Sequence, residues 1–173
     1  KKIIDSTDDD DLVSPIRLKP PIAPTIAAVK SGVTIDIDKV WKAYEVLSNR
    51  HDFVVVEGIG GLMVPVDDTL FVADLVRKMD LPLVIVGSDY LGTINHTLLT
   101  VEYAKSRKIR IKGIIINMLK GDDGFVREIE KYSSVPILGT IPFKENVSVE
   151  NCVYGDIVED LRREINISKI MRK

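Results

Sequence analysis

Apolar residues fall into two rhythms along this chain. At residues 53–56 (FVVV), 83–86 (LVIV), 111–116 (IKGIII) and, more weakly, 136–141 (PILGTI), the runs are nearly continuous, too short for helices and rich in β-branched residues. Such runs predict strands covered on both faces. Between them, residues 71–78, 94–106 and 124–132 carry apolar positions at helical spacing, and upstream residues 36–49 put Val40, Ala43, Tyr44 and Leu47 on one face, with Asp36 or Asp38 available as the cap. Residues 14–19 predict a short edge strand, and the following PPIAPT an extended passage, because proline fixes its own φ and steers its predecessor away from helix. Alternating strands and helices joined by short turns imply right-handed crossovers and an α/β fold: an open parallel sheet with helices on both sides, read as a single domain over residues 1–173.

Composition narrows the partners. A chain of 173 residues, 45% hydrophobic, is long enough to bury a core. A formal net charge of -2, with Lys and Arg dispersed, offers no basic footprint for nucleic acid and no polybasic membrane anchor. The lone Cys152 excludes an internal disulfide framework and multi-cysteine metal clusters, suits a reducing compartment, and reads as an unreactive, partly buried thiol. No run reaches the ~18 apolar residues of a membrane span, and the first residues do not form a signal peptide, so the expected location is cytoplasmic. The opening KKIIDSTDDDDL reads as the tail of an amphipathic helix entering an acidic loop, with Asp8 to Asp11 solvated rather than converging on a metal.

In open parallel sheets, ligands bind at the carboxyl ends of the strands. After residues 53–56 comes Glu57-Gly58-Ile59-Gly60-Gly61, a carboxylate beside glycines that admit phosphate oxygens closely, suited to Mg²⁺ near a nucleotide or equally to a plain structural turn. The next residues, LMVPVDD, suggest an extended piece and a turn, with Asp67 and Asp68 capping or solvated. After 83–86, the stretch GSDYLGTINH opens into a helix whose start at Gly92 and Thr93 can receive a carboxylate or phosphate, or Thr93 can be an ordinary N-cap. His96 reads as structural and His51 as a surface residue. Asn117, ending GIIIN, offers the paired donor and acceptor an adenine edge needs, or simply ends its strand. Pro142-Phe143-Lys144 supplies a rigid turn with an aromatic face.

In order, VEGIGGLMVP, LGTINHTLLT, GIIIN and ILGTIPF, with PPIAPTIAA upstream, resemble the dethiobiotin synthetase family from about Ser14 to about Phe143. The resemblance implies a P-loop NTPase-like three-layer fold and a reaction in which 7,8-diaminononanoate, CO₂ or bicarbonate, and ATP with Mg²⁺ give the ureido ring of dethiobiotin. It implies that Glu57 is the magnesium ligand. Glu57, Gly58, Ile59 and Gly60 would line the nucleotide, and Asn117, Pro142, Phe143 and Lys144 would hold adenine. Gly92, Thr93 and Asn95 would receive the substrate carboxylate, at the interface of a homodimer.

The departures from that family are as specific. No G-x-x-x-x-G-K-[ST] occurs in these residues, and the family's first strand, P-loop, second lysine, substrate serine and second magnesium aspartate all fall upstream of the match. The expectation is therefore a chain lacking its amino-terminal P-loop segment, with no catalytic residue of its own and inactive as it stands. Phe125 stands near where some relatives use a polar or phenolic residue, which puts cross-subunit substrate contact in question. Two other readings remain: a cobyrinate-type amide synthetase domain, without the glutaminase domain and nucleophilic cysteine that chemistry requires, and a non-catalytic domain that keeps the fold.

Overall fold

The computed structural model describes residues 5–148 and 151–171, which divide into two compact units, residues 1–74 and 75–173. The helix tail expected at the chain's opening begins in residues 1–4, outside the described residues.

The described part of the first unit is helical and irregular. The acidic run is not simply a solvated loop. The Asp8 side chain is only 10% exposed, accepts a hydrogen bond from the Ser6 hydroxyl at 2.9 Å and lies 2.8 Å from His51 Nε2 and 3.5 Å from Arg50. The Ser6 hydroxyl first, then His51, hold its carboxyl below the usual aspartate range. Asp9 caps the short helix α1 (Asp10–Val13) by accepting from the Asp11 N–H, and Arg17 pairs with Asp11. Helix α2 (Pro24–Ser31) starts inside the PPIAPT segment, which corrects the extended expectation there. Pro24 stands at the first helical turn, where its missing N–H costs nothing, and Gly32 ends the helix in the left-handed conformation at φ 65°. Helix α3 (Ile37–Arg50) is capped by Asp36, as its spacing predicts, and packs against α1. Helix α4 (Val72–Met79) begins where the Asp74 carboxylate accepts from the Phe71 N–H at 2.9 Å, and it continues into the second unit.

Two strand expectations fail in this unit. Residues 14–19 and 53–56 are irregular, and Val55 is 80% exposed. A β-branched apolar run becomes a strand only when a neighbouring backbone takes its N–H and C=O groups into a ladder. Among the described residues of the first unit, the β pairing is a single antiparallel bridge between Pro65 and Phe71. That bridge closes the turn expected from LMVPVDD. Asp67 Oδ1 accepts from the Thr69 N–H and hydroxyl and the Leu70 N–H, which lowers its pKa, the Thr69 N–H most of all.

The second unit carries the sheet. Strands β1 (Leu83–Ser88), β2 (Ile111–Leu119) and β3 (Ile137–Pro142) are parallel, in the order β1-β2-β3. Helix α5 (Thr93–Ser106) joins β1 to β2, and α6 (Gly124–Ser133) joins β2 to β3. Ile85, Ile114 and Ile116 from the sheet, Val101 from α5, and Val126 and Ile129 from α6 form one buried cluster. Phe125 packs against it, so its ring serves the core. This is the parallel α/β arrangement the alternating pattern predicts.

Two further helices, α7 (Ile157–Glu164) and α8 (Ile167–Met171), had no counterpart in the sequence reading. The end of α7 lies directly on β3: a Cβ at Gly139 would stand 2.1 Å from the Glu164 carbonyl, and the Asn166 N–H bonds the Leu138 carbonyl at 2.9 Å. Cys152 lies in the turn before α7 and is exposed, not partly buried.

Candidate functional site

The start of α5 is the best-formed candidate. Gly92 caps the helix at φ 97°, a left-handed conformation that favours glycine, and it supplies no side-chain cap. Thr93 is therefore the first helical residue and not the N-cap. Its side chain turns inward: Thr93 is 4% exposed, and its Oγ1 is buried with no hydrogen-bond partner. Thr97, one turn on, is equally buried. Both hydroxyls face Gly87 of β1, where an added Cβ would meet Thr97 Oγ1 at 3.2 Å and Thr93 Oγ1 at 3.6 Å.

A cleft of about 180 Å³ opens here, lined by Gly87, Ser88, Tyr90, Thr93, His96 and Thr97 among others. Helix geometry leaves the Ile94 and Asn95 N–H groups without intrahelical acceptors at the positive end of the dipole. The His96 N–H is already used by the Gly92 carbonyl. At the rim, Tyr90 Oη lies 2.9 Å from His96 Nδ1, so the ring has a partner, in line with a structural role. Asn95 is exposed at the same helix start. The orphaned Thr93 hydroxyl lies in the wall of this cleft and the free N–H groups stand at the same helix start, groups whose chemistry suits a small anion such as a carboxylate.

A second constellation stands at the carboxyl ends of β2 and β3. β1 and β2 stay in register to Ser88 and Asn117; β2 then bulges, and pairing with β3 resumes at Leu119 opposite Pro142. Met118, inside the bulge, has φ 59°, a strained value for a side-chain-bearing residue. Asn117 Oδ1 accepts from the Met118 N–H at 2.8 Å, so what the half-buried side chain can still offer a ligand is chiefly its NH₂ donor. The Phe143 N–H bonds the Leu119 carbonyl at 2.9 Å, so the segment expected as a rigid turn at Pro142-Phe143-Lys144 is instead the end of β3 and its exit, with the turn itself at Glu145 and Asn146. Lys120 Nζ lies 4.6 Å from the Phe143 ring centroid, within cation–π range.

Lys144 turns elsewhere. Its Nζ lies 2.9 Å from Asp160 and 3.0 Å from Asp156. Asp160 first, then Asp156, raise its pKa, and Lys144 in turn lowers that of Asp156. Its ammonium thus fastens α7, and what it offers this segment is backbone.

Glu57 to Gly61 belong to the first unit. The loop is exposed, with Gly60 at φ 70° and its missing Cβ only 3.1 Å from Val64 Cγ2. It is anchored by the buried Leu62 and Val66 and by bonds from the Ala73 N–H to the Leu62 carbonyl and the Val72 N–H to the Val64 carbonyl, each 3.0 Å. Among the described residues, no group of three or more His, Cys, Asp or Glu side chains is placed to hold a metal. An exposed single carboxylate beside glycines fits Mg²⁺, which takes one or two protein carboxylates and fills its remaining positions with phosphate oxygens and water.

Sequence reasoning singled out Gly92, Thr93, Asn95 and Asn117, which lie in these two constellations, and passed over Thr97, Asp89 and Lys120. Of these only Thr97 carries a sequence signal, lying four residues after Thr93 on the same helix face. Among the described residues, no helix is long and apolar enough to cross a membrane.

A family model described as an AAA domain matches residues 1–151. Among curated proteins, the chain is 40% identical over 164 residues to the ATP-dependent dethiobiotin synthetase of Bacillus velezensis, covering 92% of this chain and 68% of that protein. It is 37% identical over 160 residues to the protein of the same name from Methanocaldococcus jannaschii, covering 87% and 75%. Against that from Thermodesulfovibrio yellowstonii, it is 36% identical over 156 residues, covering 83% and 65%. The chain thus spans about two thirds of the length of the curated relatives it matches. The parallel sheet with its crossover helices and these relatives of one name together show that the chain belongs to the dethiobiotin synthetase family.

Proposed function

We propose that the protein containing this chain closes the ureido ring of dethiobiotin from 7,8-diaminononanoate, CO₂ and ATP. The observation that carries this reading is the buried, unpartnered Thr93 hydroxyl at the α5 start, where a substrate with its carboxylate several carbons from its two amines would anchor that carboxylate. The relatives' shared name supplies the reaction class.

One amine adds to CO₂ and loses a proton, giving a carbamate. A carbamate oxygen takes the γ-phosphoryl group, releasing ADP. The second amine attacks the carbonyl carbon, phosphate leaves with the C–O electron pair, and the ring closes. No covalent bond to the protein is needed, so its work is positioning and charge neutralisation.

In this reading Gly92, Thr93 and Asn95 hold the carboxylate, which sets the reach of the two amines. Asn117 and the Pro142-Phe143-Lys144 segment hold adenine, with Lys144 contributing through its backbone. Glu57, Gly58, Ile59 and Gly60 border the phosphates. Mg²⁺, held by Glu57, would neutralise phosphate charge. The exposed Leu91, Tyr90 and Leu99 around the α5 start supply an apolar surface for a second copy of the chain, as a homodimer with substrate at its interface requires. A cytoplasmic location belongs to the same proposal.

The test is to incubate the full-length protein with diaminononanoate, bicarbonate, ATP and Mg²⁺ and follow dethiobiotin by mass spectrometry. Dethiobiotin formation is expected. Its failure to form, with cobyrinate amidated instead, would replace this reading with the amide synthetase one. The Glu57→Gln variant is expected to need far more Mg²⁺ for the same turnover while keeping its thermal midpoint; an unchanged Mg²⁺ requirement removes Glu57 from the site.

A further inference from the structure

Asp89 occupies a junction that none of the assigned roles uses. It follows β1 directly, three residues before the Gly92 cap of α5, and is half-buried. Its N–H donates to the Asn117 carbonyl at 3.2 Å. Its carboxylate Oδ2 accepts from the Lys120 N–H at 2.9 Å. These two bonds bracket the Asn117–Met118 bulge from both sides, and Asn117 Oδ1 to the Met118 N–H closes it from within. Everything the base site presents hangs on this bulge. It sets the direction of the Asn117 amide, the position of the Lys120 ammonium over Phe143, and, through the Leu119 carbonyl, the seat of Phe143.

A non-glycine residue at φ 59° persists only where its surroundings hold it there. With β2 out of register with β3 between Ile116 and Leu119, ladder bonds to β3 do not hold the bulge; beside the Asn117 amide within it, the side chain that holds it is that of Asp89. Its negative charge also argues against direct contact with the phosphates or the substrate carboxylate, which are anions.

We propose that Asp89 is a positioning residue for the nucleotide base, clamping the Asn117–Lys120 bulge from the loop that leads to the carboxylate site. The proposal rests on the adenine site assigned above. Without the carboxylate, the Lys120 N–H loses its acceptor, Met118 relaxes from the left-handed region, and the Asn117 amide and Lys120 lose their fixed geometry toward the base. The α5 start is held by its own bonds, from the Thr93 N–H to the Tyr90 carbonyl and from the His96 N–H to the Gly92 carbonyl, and stays in place.

The test uses the full-length protein with Asp89→Ala and Asp89→Asn, measuring affinity for a fluorescent ATP analogue and the KM values for ATP and diaminononanoate. Asp89→Ala is expected to weaken ATP by about tenfold, the scale of one lost hydrogen bond. The diaminononanoate KM and kcat are expected to stay within about twofold, the spread left when no binding contact is removed. Asp89→Asn, whose Oδ1 accepts the same bond, is expected to bind ATP like the wild type. Asp89→Ser, too short to reach Lys120, gives the alanine result should alanine not be tolerated.

Unchanged ATP affinity in Asp89→Ala, equal losses for both ligands, or failure of asparagine to restore binding overturns the proposal. So does a wild type that binds no adenine nucleotide, which removes the base site as well. A wild type that binds ATP but makes no dethiobiotin defeats the activity reading alone, and the binding constants still decide the role of Asp89.

Discussion

Thr93→Val is the substitution whose effects on stability and on function should have opposite signs. In the unliganded protein the Thr93 hydroxyl is buried among Gly87, Thr97 and the α5 start with nothing to bond. A buried polar group left unsatisfied costs about 1–3 kcal/mol, and a methyl of the same shape does not incur that cost. Valine is therefore expected to raise stability by about 1 kcal/mol, taking the lower end because the cleft is open at one side. For a domain of this size that moves the thermal midpoint up by about 2–4 °C. The same change removes a donor to an anionic carboxylate, a bond on the order of 1.5–3 kcal/mol, so diaminononanoate should bind roughly 10–150-fold more weakly. ATP affinity should not move. Calorimetric or fluorescence melting of the unliganded protein, followed by titration of each ligand, reads all three quantities. A lower midpoint would mean that the hydroxyl is satisfied in the free protein, and equal losses for ATP and diaminononanoate would mean that the α5 start is no carboxylate site.

Gly139→Ala places a Cβ 2.1 Å from the Glu164 carbonyl, so α7 must retreat and the Asn166–Leu138 bond must stretch; a loss of about 1–3 kcal/mol is expected, read as a lower urea midpoint. Gly121→Ala, with nothing within 4 Å, should be neutral or slightly stabilising, and equal effects at the two glycines would contradict this packing. The tie from Lys144 to Asp156 should show in the pH dependence of the gap in urea midpoint between wild type and Asp156→Asn. The folded Asp156 carboxyl lies below its ordinary value of 3.8, so its contribution is fully present above that value and disappears as the pH falls through the lowered one. Lys144, raised above 10.5, keeps its contribution below that value and loses it as the pH climbs through the raised one. A gap that ignores pH across both limits would show that the pair does not hold α7.

Where local pattern and tertiary partner agree, the sequence was legible. Helix α3 announces itself by one apolar face and the Asp36 cap, and β1 and β2 by β-branched runs whose backbone groups find parallel neighbours. The run FVVV at 53–56 has the same pattern and forms no strand, because a strand is a property of two backbones and the described residues of its unit give it no ladder. Helices α7 and α8 escaped notice because their apolar positions are few and interrupted by charge; α7 is fixed instead by Lys144 reaching Asp160 and by a glycine-sized gap on β3.

The same division runs through the candidate site. The sequence by itself determined the family, the glycine-rich loop after Glu57, and the helix start at Gly92 and Thr93, since each depends on residue types within a few positions of one another. Only the tertiary structure decided that the Thr93 hydroxyl is buried without a partner, that Lys144 is committed to two aspartates, and that Asp89 joins the end of β1 to a bulge 28 residues away at Asn117. Hydrogen-bond satisfaction and close approach are set by which strands lie side by side, and register is a long-range property that no local spacing encodes.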